Sequence, residues 1–310
     1  MSAINLLLCF DRPHLEAALI STYSFITRSG LRFQPIFACD ETVTGDHLEV
    51  ARHVLPNLAV IRLSRNAIEQ EMLAWEGGKA SNPIGTAAFY RIYAIQQLAD
   101  SQPTLYVDTD TICVRRLEHL PHYVQRLRDN PHHLIAACSH MTPGYRQEQQ
   151  DVLKLDSPYR YINSGVMLFF PQTARRAINP ESISHVRRQY PSAWRKTADQ
   201  GPINMVAKGR ILYMDHTYNM MTWHFLEAHR YYQPENNVLV DLLALSPSRA
   251  SADARIIHYT THPKPWVLSA GERQAHPNRS FPRYTEAEEA FRARFPSIPE
   301  RLEHLNRAAG

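Results

Sequence analysis

Two aspartates stand two positions apart at the end of a short apolar run. Asp108 and Asp110 follow residues 105–107 (LYV), a stretch typical of a buried strand. Side chains two positions apart on an extended segment point to the same side, so both carboxylates would face one ligand. Two such groups suit a hard divalent cation, Mg²⁺ or Mn²⁺, that takes further oxygens from a diphosphate. Taken alone, the pair leaves a solvated turn or a helix cap open.

The elements that must position this pair alternate along the first part of the chain. Apolar runs predict strands, and the segments between them have helical spacing. The strands are residues 6–10, 33–39 and 59–63, and the helices are residues 14–28 and 46–55. This alternation predicts a mostly parallel sheet with helices on both faces. Ligands bind at the carboxyl ends of the strands in such a sheet, which is where Asp108 follows its strand.

The rest of the chain continues the pattern and then changes in composition. Further helices are predicted at residues 86–99, 121–128 and 197–208, and further strands at residues 104–107, 133–138, 166–170, 211–213 and 256–259. The small, polar residues 246–254 predict a loop. Residues after 268 are rich in Arg, Glu and Pro, and predict a polar, loosely packed tail. We therefore expect one domain over residues 1–268 and a polar C-terminal extension over residues 269–310.

The bulk composition is that of an ordinary globular protein. Of 310 residues, 44% are hydrophobic and 21% charged, which suits one large α/β domain. A net charge of +4 is too small to predict nucleic-acid binding. No apolar stretch reaches the roughly 18 residues of a membrane span, so we expect a soluble cytoplasmic protein with at most peripheral contact at the inner face of a membrane. The four cysteines form no CxxC pair and are expected to be buried, reduced thiols.

Five separated segments carry a resemblance to a known family. They are residues 86–91 (TAAFYR), 105–111 (LYVDTDT), 161–168 (YINSGVML), 199–204 (DQGPIN) and 257–266 (IHYTTHPKPW). In this order they resemble glycosyltransferase family 8, the galactosyl-, glucosyl- and glycogenin-type transferases. The resemblance implies a GT-A fold, an α/β structure whose Rossmann-like mixed sheet has mostly parallel strands flanked by helices. It also implies a nucleotide-sugar donor and a divalent metal cofactor.

The resemblance assigns the metal and the diphosphate to particular residues. Asp108, Asp110 and His258 would ligate the metal, and Thr109 lies between the two acids in the same donor-binding segment. An imidazole ligand suits Mn²⁺ better than Mg²⁺. Lys264 would contact the diphosphate, and its charge would offset the charge on the leaving group. The residues themselves also allow a structural histidine and a solvated lysine.

A second group of residues would bind the donor sugar. The resemblance places Asp199 against sugar hydroxyls, Gln200 on the face of the anomeric carbon opposite the leaving group, and the Asn163 amide near the sugar. Arg91 would face the sugar or the phosphates, and Gly165 marks a close approach of the backbone. The residues themselves also allow a helix N-cap at Asp199, an ordinary turn at Asn163 and a helix-surface charge at Arg91.

Two departures from the family pattern lie near the donor. Asp11, which would hold the nucleoside, stands in an unfamiliar segment, residues 9–14 (CFDRPH). Thr261 replaces the glycine that the family usually has beside the phosphates.

The function implied is a retaining, metal-dependent transfer of a hexose from UDP-galactose or UDP-glucose to a hydroxyl. The acceptor would be a glycan or a lipid-linked glycan, as in lipopolysaccharide biosynthesis. One alternative is a nucleotide-sugar-binding protein without transferase activity. A metal-dependent nucleotidyltransferase also uses paired aspartates, but a Gly-rich or basic loop would then be expected after the first strand, where residues 10–13 read FDRP. A structural protein would not need these polar segments.

Overall fold

A seven-stranded, mainly parallel sheet forms the centre of the molecule. The computed structural model describes residues 3–75, 85–140, 160–190, 198–226, 229–235, 238–245 and 247–308. The sheet strands are β1 (Ile4–Phe10), β2 (Phe33–Cys39), β3 (Ala59–Arg62), β4 (Thr104–Val107), β6 (Ile135–Ser139), β7 (Ile162–Phe169) and β8 (Ile211–Met214). They lie in the order β3-β2-β1-β4-β7-β6-β8. Only β7 runs antiparallel to both of its neighbours, β4 and β6. The predicted mixed α/β fold is confirmed.

Helices cover both faces of this sheet. They are α1 (Leu15–Arg28), α2 (Gly45–Val54), α3 (Arg65–Trp75), α4 (Tyr90–Gln97), α5 (Leu120–Asp129), α6 (Pro171–Ala174), α7 (Pro180–Gln189), α8 (Gln200–Val206), α9 (Pro247–Asp253), α10 (Ala270–Ala275), α11 (Phe281–Arg294) and α12 (Ile298–Ala308). Alternate residues of β1 enter different cores, with Leu6 and Leu8 on one side and Leu7 and Cys9 on the other. The sheet is thus buried on both faces, which explains why its strands read as continuous apolar runs.

The reversed direction of β7 brings its start to the edge where β1 and β4 end. Val107, the last residue of β4, pairs with Val166 of β7. The residues that begin β7 therefore extend past the end of β4, and the Asp108 N–H donates to the Gly165 carbonyl over 2.8 Å. The Asn163 segment lies within this strand, so the sequence-based alternative of an ordinary turn there is wrong.

A small second sheet stands beside this edge. It contains β5 (Thr111–Cys113), β9 (Met220–Met221) and β12 (Ile256–His258), with β12 in the middle. His258 pairs with Thr111 of β5, and the Tyr259 N–H donates to the Asp110 carbonyl over 2.8 Å. A β10–β11 hairpin (His229–Glu235 and Val238–Leu245) is the third sheet. The second sheet therefore brings a late strand to the acidic pair.

Two predictions for the second half of the chain are wrong. Pro247–Asp253, within the predicted loop, is a helix, while Ser246 lies outside the described residues. The predicted loose tail instead forms α10, α11 and α12. Phe281, Tyr284 and Phe291 of α11 are buried in the same core cluster as β1. Their helical spacing was hidden by the charged residues between them, which dominate the average composition. The domain boundary after residue 268 stays a prediction.

The four cysteines are buried and unpaired, as predicted. Within the described residues, no helix combines the length and apolar character that crossing a bilayer requires.

Candidate functional site

Asp108 and Asp110 converge because the chain turns between β4 and β5. The Thr111 N–H and its hydroxyl both donate to the Asp108 carbonyl, over 3.1 and 2.8 Å, which closes a turn around Thr109. The prediction placed the acids correctly at the carboxyl end of a strand. The expectation that alternation along an extended segment aligns the two carboxylates was wrong. The strand ends at Val107, and the turn that follows it aligns them.

His258 completes a cluster of three side chains that could hold a metal ion. Its Nε2 lies 3.1 Å from Oδ1 of Asp110 and 3.5 Å from Oδ2 of Asp108. One candidate ligand atom from each residue lies within 4.8 Å of the others. These three are the residues that the sequence predicts as ligands.

The donor set of this cluster fits a hard divalent cation. Oδ1 of Asp110 is buried and receives no hydrogen bond from the described residues. His258 uses Nδ1 for a 3.0 Å hydrogen bond to Oδ1 of Asn219, so its Nε2 presents a lone pair toward the carboxylates. Adjacent ligands of an octahedral ion with bonds of about 2.1 Å lie about 3 Å apart, close to the spacing of Nε2 and Asp110 Oδ1. A cation or a proton between these atoms removes the repulsion of their lone pairs.

Lys264 lies on the other side of Asp110. Its Nζ donates to Oδ2 of Asp110 over 2.7 Å and also to the Tyr259 carbonyl. Burial alone would raise the pKa of the Asp110 carboxyl, but the positive charges of His258, when it is protonated, and of Lys264 outweigh it and hold that pKa well below its usual value. The carboxylate therefore stays ionised, and the predicted lysine lies beside the candidate metal ligands rather than in solvent.

Arg91 is buried and its guanidinium group contacts three parts of the site. Its Nη2 lies 3.0 Å from Oδ1 of Asp108, its Nε lies 2.9 Å from Oδ2 of Asp199, and its Nη1 donates to the Ser164 carbonyl over 2.6 Å. The guanidinium is stacked on the Tyr106 ring, 4.4 Å from its centroid, and the Tyr106 hydroxyl donates to Asp108. The alternative of an exposed helix charge is therefore wrong, since Arg91 is 5% exposed.

Asp199 and Gln200 lie at the start of α8. Asp199 occupies the N-cap position, but its side chain makes no capping hydrogen bond and faces Arg91 instead. Burial and the nearby Asp108 charge raise the pKa of the Asp199 carboxyl to about 6, against the opposing effect of Arg91. The Gln200 Oε1 accepts from Asn163 Nδ2 over 2.9 Å, and Gln200 Nε2 donates to the Tyr161 hydroxyl over 2.9 Å. The structure thus brings Asn163, Asp199 and Gln200 together.

Asp11 directly follows β1 and is paired with His14. The 2.6 Å hydrogen bond joins Asp11 Oδ1 to His14 Nδ1, and Arg65 lies 4.0 Å away. Burial would raise the pKa of Asp11, but the hydrogen bond and charge of His14 prevail and lower it. The His14 ring is 6.4 Å from that of Trp266, close to the Lys264 segment. Asp11 therefore borders the same site from its far side.

Thr261 makes contacts that a glycine would lack. Its hydroxyl lies 2.9 Å from that of Thr222, in the 3-10 turn Thr222–Phe225 after β9. The Thr261 side chain is thus directed toward the neighbouring turn that begins at Thr222.

Three residues of the site were missed by the sequence reasoning. Tyr106 lies in β4 two positions before Asp108, and its hydroxyl donates to that carboxylate, so the spacing of two could have found it. Tyr161 precedes Asn163 by two positions and could have been found in the same way. Asn219 lies in the 3-10 turn His216–Asn219, and no local pattern distinguishes it from other polar turn residues.

The family model described as "Glycosyl transferase family 8" matches residues 5–269. The chain belongs to glycosyltransferase family 8. It is therefore a glycosyltransferase of the hexosyltransferase class, EC 2.4. Enzymes of glycosyltransferase family 8 typically use a nucleotide-sugar donor and a divalent metal, which agrees with the acidic cluster and His258.

Solved structures with a similar fold include other glycosyltransferases. The galactosyltransferase LgtC in complex with donor and acceptor sugar analogues has a TM-score of 0.69 at 16% identity, covering 93% of this chain and 96% of that chain. Mouse xyloside xylosyltransferase 1 has a TM-score of 0.55 at 16% sequence identity, covering 84% of this chain and 98% of that chain. The glycosyltransferase GlyE of Streptococcus pneumoniae TIGR4 has a TM-score of 0.58 at 12% sequence identity, covering 100% of this chain and 64% of that chain. These likenesses confirm the GT-A fold of this member of family 8. No curated protein matches the chain in sequence.

Proposed function

We propose that this chain is a retaining hexosyltransferase that uses UDP-galactose or UDP-glucose. The acceptor would be a hydroxyl of a glycan or a lipid-linked glycan, such as one of lipopolysaccharide biosynthesis. The observation that carries the proposal is the meeting of Asp108, Asp110 and His258 next to the ammonium of Lys264. Three anionic or lone-pair ligands and one fixed cation at one place suit a metal-bound diphosphate.

In this proposal Asp108, Asp110 and His258 hold Mn²⁺, or else Mg²⁺. When bound, the metal acts as a Lewis acid that stabilises the departing diphosphate. Lys264 Nζ already donates to Asp110 over 2.7 Å and to the Tyr259 carbonyl, and its third N–H group could donate to a diphosphate oxygen. Lys264 and Asp110 are 154 positions apart in the sequence, so the diphosphate would be bound between two distant segments of the chain.

The sugar would lie over the start of α8 and β7. Asp199 would accept hydrogen bonds from sugar hydroxyls, Asn163 would lie near the sugar, and Gln200 would face the anomeric carbon. Arg91 holds Asp199 and Asp108 at the same time, so it would set the distance between the sugar and the metal. Asp11, with His14, borders the opposite side and would hold the nucleoside.

The resemblance to family 8 implies retention, and the engagement of the carboxylates bears on the route by which it would occur. Asp108 and Asp199 face Arg91, Asp110 faces Lys264, and Asp11 faces His14. In the described part of the site, each of these acids is thus paired with a base rather than presented as a nucleophile. The Gln200 oxygen accepts from Asn163 and from the Ser164 N–H. We therefore propose attack by the acceptor hydroxyl from the face that the diphosphate leaves.

The proposed setting follows from the substrates. A nucleotide-sugar donor fits the cytoplasm, and a lipid-linked acceptor would bring the enzyme to the inner face of a membrane.

A donor screen for UDP release with Mn²⁺ tests the proposal. Release should be greatest with one UDP-hexose, and Asp108→Ala should lose it by at least about 100-fold, within the range that metal ligands and their supports contribute. Asp100→Ala is the matched control, because Asp100 lies in the loop before β4, is exposed and forms a surface ion pair with Arg175.

Three results would contradict it. Asp108→Ala with full activity would refute the metal assignment. Binding of UDP-sugar and Mn²⁺ without turnover would favour the binding-protein alternative. An inverted anomer in the NMR spectrum of the product would refute retention.

A further inference from the structure

A chain of side-chain amides joins the proposed metal ligand to the sugar side of the site. His258 Nδ1 lies 3.0 Å from Asn219 Oδ1, and Asn219 Nδ2 donates to Asn163 Oδ1 over 2.9 Å. Asn163 Nδ2 in turn donates to Gln200 Oε1 over 2.9 Å. His258, Asn219 and Asn163 are 3%, 1% and 6% exposed, so water does not offer them other partners.

Two backbone N–H groups fix the orientation of each side-chain amide in this hydrogen-bonded series. The Gly165 N–H donates over 2.9 Å to the Asn163 side chain, and the Ser164 N–H donates over 3.2 Å to that of Gln200. A backbone N–H needs an oxygen as its partner, so Oδ1 of Asn163 and Oε1 of Gln200 occupy these positions. The usual ambiguity of amide orientation is thereby removed at both residues.

The orientation of Asn219 follows from that of Asn163. Because Asn163 presents an oxygen, Asn219 must present its NH₂ group to it, and Asn219 Oδ1 then faces His258. An amide oxygen accepts but cannot donate, so Nδ1 of His258 must carry a proton. A flipped Asn219 would set NH₂ against Nδ1 and oxygen against oxygen at Asn163, which is costly where neither group reaches water.

We propose that Asn219 is a positioning residue that aims the Nε2 lone pair of His258 at the metal and couples this ligand to Gln200. This inference rests on the proposed metal site. The imidazole nitrogen that binds a metal is set by the hydrogen bond of the other ring nitrogen, and such partners affect metal affinity strongly. Since the donors all run from His258 toward Gln200, a change at Asn219 disturbs both ends.

Two substitutions of similar size separate the hydrogen bond from packing. Asn219→Asp keeps an oxygen for the Nδ1 proton but cannot donate to Asn163. Asn219→Leu removes both hydrogen bonds. The measurement is Mn²⁺ affinity of the full chain, by calorimetry or by electron paramagnetic resonance of free Mn²⁺, with turnover measured in parallel. Asn5→Ala is the control for loss of a buried amide, because Asn5 bonds Thr104 at the opposite edge of the sheet.

The leucine variant should weaken Mn²⁺ binding by about 10–100-fold. The aspartate variant should bind Mn²⁺ within a few-fold of the wild-type protein but turn over more slowly, because Asn163 and Gln200 lose their support. Asn5→Ala should bind Mn²⁺ normally, and circular dichroism should show that all three variants are folded.

Wild-type affinity in Asn219→Leu would overturn the inference, as would equal losses in the leucine and aspartate variants. Full turnover in Asn219→Asp would refute the coupling to Gln200. Asp110→Asn separates these failures from failure of the proposed function. If Asp110→Asn binds Mn²⁺ like the wild-type protein, the metal site itself is wrong. If only Asp110→Asn loses Mn²⁺, the metal site stands and the role of Asn219 does not.

Discussion

Gly165 packs so closely against His258 that a Cβ atom on the glycine would lie 2.1 Å from Cε1 of the imidazole. The same atom would lie 2.7 Å from Oδ2 of Asp108. The backbone of β7 therefore runs directly beneath two of the proposed ligands, and the space that they use is the space that a side chain would fill. The requirement for glycine here is steric, because its φ is not in the left-handed region.

Gly165→Ala should move His258 and weaken Mn²⁺ binding by about 10–100-fold, as for a loss of ligand support. The overpacking should also lower the free energy of unfolding by about 1–3 kcal/mol. Calorimetric titration with Mn²⁺ and urea unfolding measure the two effects. Gly271→Ala is the matched control, because a Cβ there meets nothing within 4 Å and alanine favours the helix. Unchanged Mn²⁺ affinity in Gly165→Ala would mean that His258 is not a ligand.

Arg91→Met should destabilise the fold strongly. It leaves the carboxylates of Asp108 and Asp199 without their shared partner, and removing one member of a buried ion pair costs about 3–5 kcal/mol. Arg91→Lys should lower the free energy of unfolding by less. Lysine keeps the positive charge but lacks the guanidinium group that reaches three oxygens at once. Arg249→Ala, at an exposed pair with Asp253, should cost under about 1 kcal/mol. Urea unfolding at neutral pH provides the comparison, and equal losses for Arg91→Met and Arg249→Ala would contradict it.

Asp199 should make the fold less stable as pH rises. Its pKa is about 6 in the folded protein, against about 3.9 for a free carboxyl. Between these values the folded protein keeps a proton that the unfolded chain has lost, so the free energy of unfolding decreases with pH. Asp199→Asn lacks this effect. The stability difference, wild-type minus variant, should therefore fall by about 2 kcal/mol between pH 4 and pH 7. A difference independent of pH would contradict the raised pKa.

These residues also show how far the sequence could predict the site. The end of β4 and the late His–Lys segment stood out because apolar runs stop at polar residues and because their order matched a family. The turn after Val107 and the hydrogen bond of Asn219 were not predictable in this way. Both depend on tertiary contacts, and a polar residue in a short turn looks the same in sequence whether or not it faces a ligand.

The fold shows the same division. The predicted bounds of two strands, residues 33–39 for β2 and residues 104–107 for β4, match the observed bounds. Buried strands are recognisable because they form compact apolar runs in the sequence. Helices α3 and α7 and the β10–β11 hairpin were missed. α11 was missed because its apolar residues are separated by Arg and Glu, so periodicity was a better guide than composition.

Arg273 links the C-terminal helices to the Lys264 segment. It is 4% exposed, its Nη1 donates to the Pro265 carbonyl over 2.9 Å, its Nε donates to Thr285 over 2.9 Å, and it pairs with Glu288. Arg273→Leu should lower the free energy of unfolding by about 3–5 kcal/mol, because Glu288 is left without its buried partner. The KM for the donor should rise more than kcat falls, because Lys264 loses its support.

A second substitution separates the two effects of Arg273. Arg273→Leu with Glu288→Leu should recover much of the stability, since no lone charge stays buried, but should keep the raised KM. Arg283→Ala, at an exposed pair with Glu286, is the control for both measurements. A donor KM that returns to normal with the stability would show that Arg273 acts on folding alone.

The docking of α10 and α11 has a consequence for how the enzyme becomes active during synthesis. Arg28 reaches the Glu286 carbonyl, and Arg292 reaches Glu16, across 258 and 276 positions of the chain. Contacts this far apart in sequence form late, because a long loop must close first. A nascent chain that has emerged past His258 but not past residue 288 can bring His258 to the acidic turn, but it lacks Glu288, the partner of the Arg273 side chain that braces the Lys264 segment. Ribosome-bound chains should therefore acquire Mn²⁺ sites before they acquire tight donor binding.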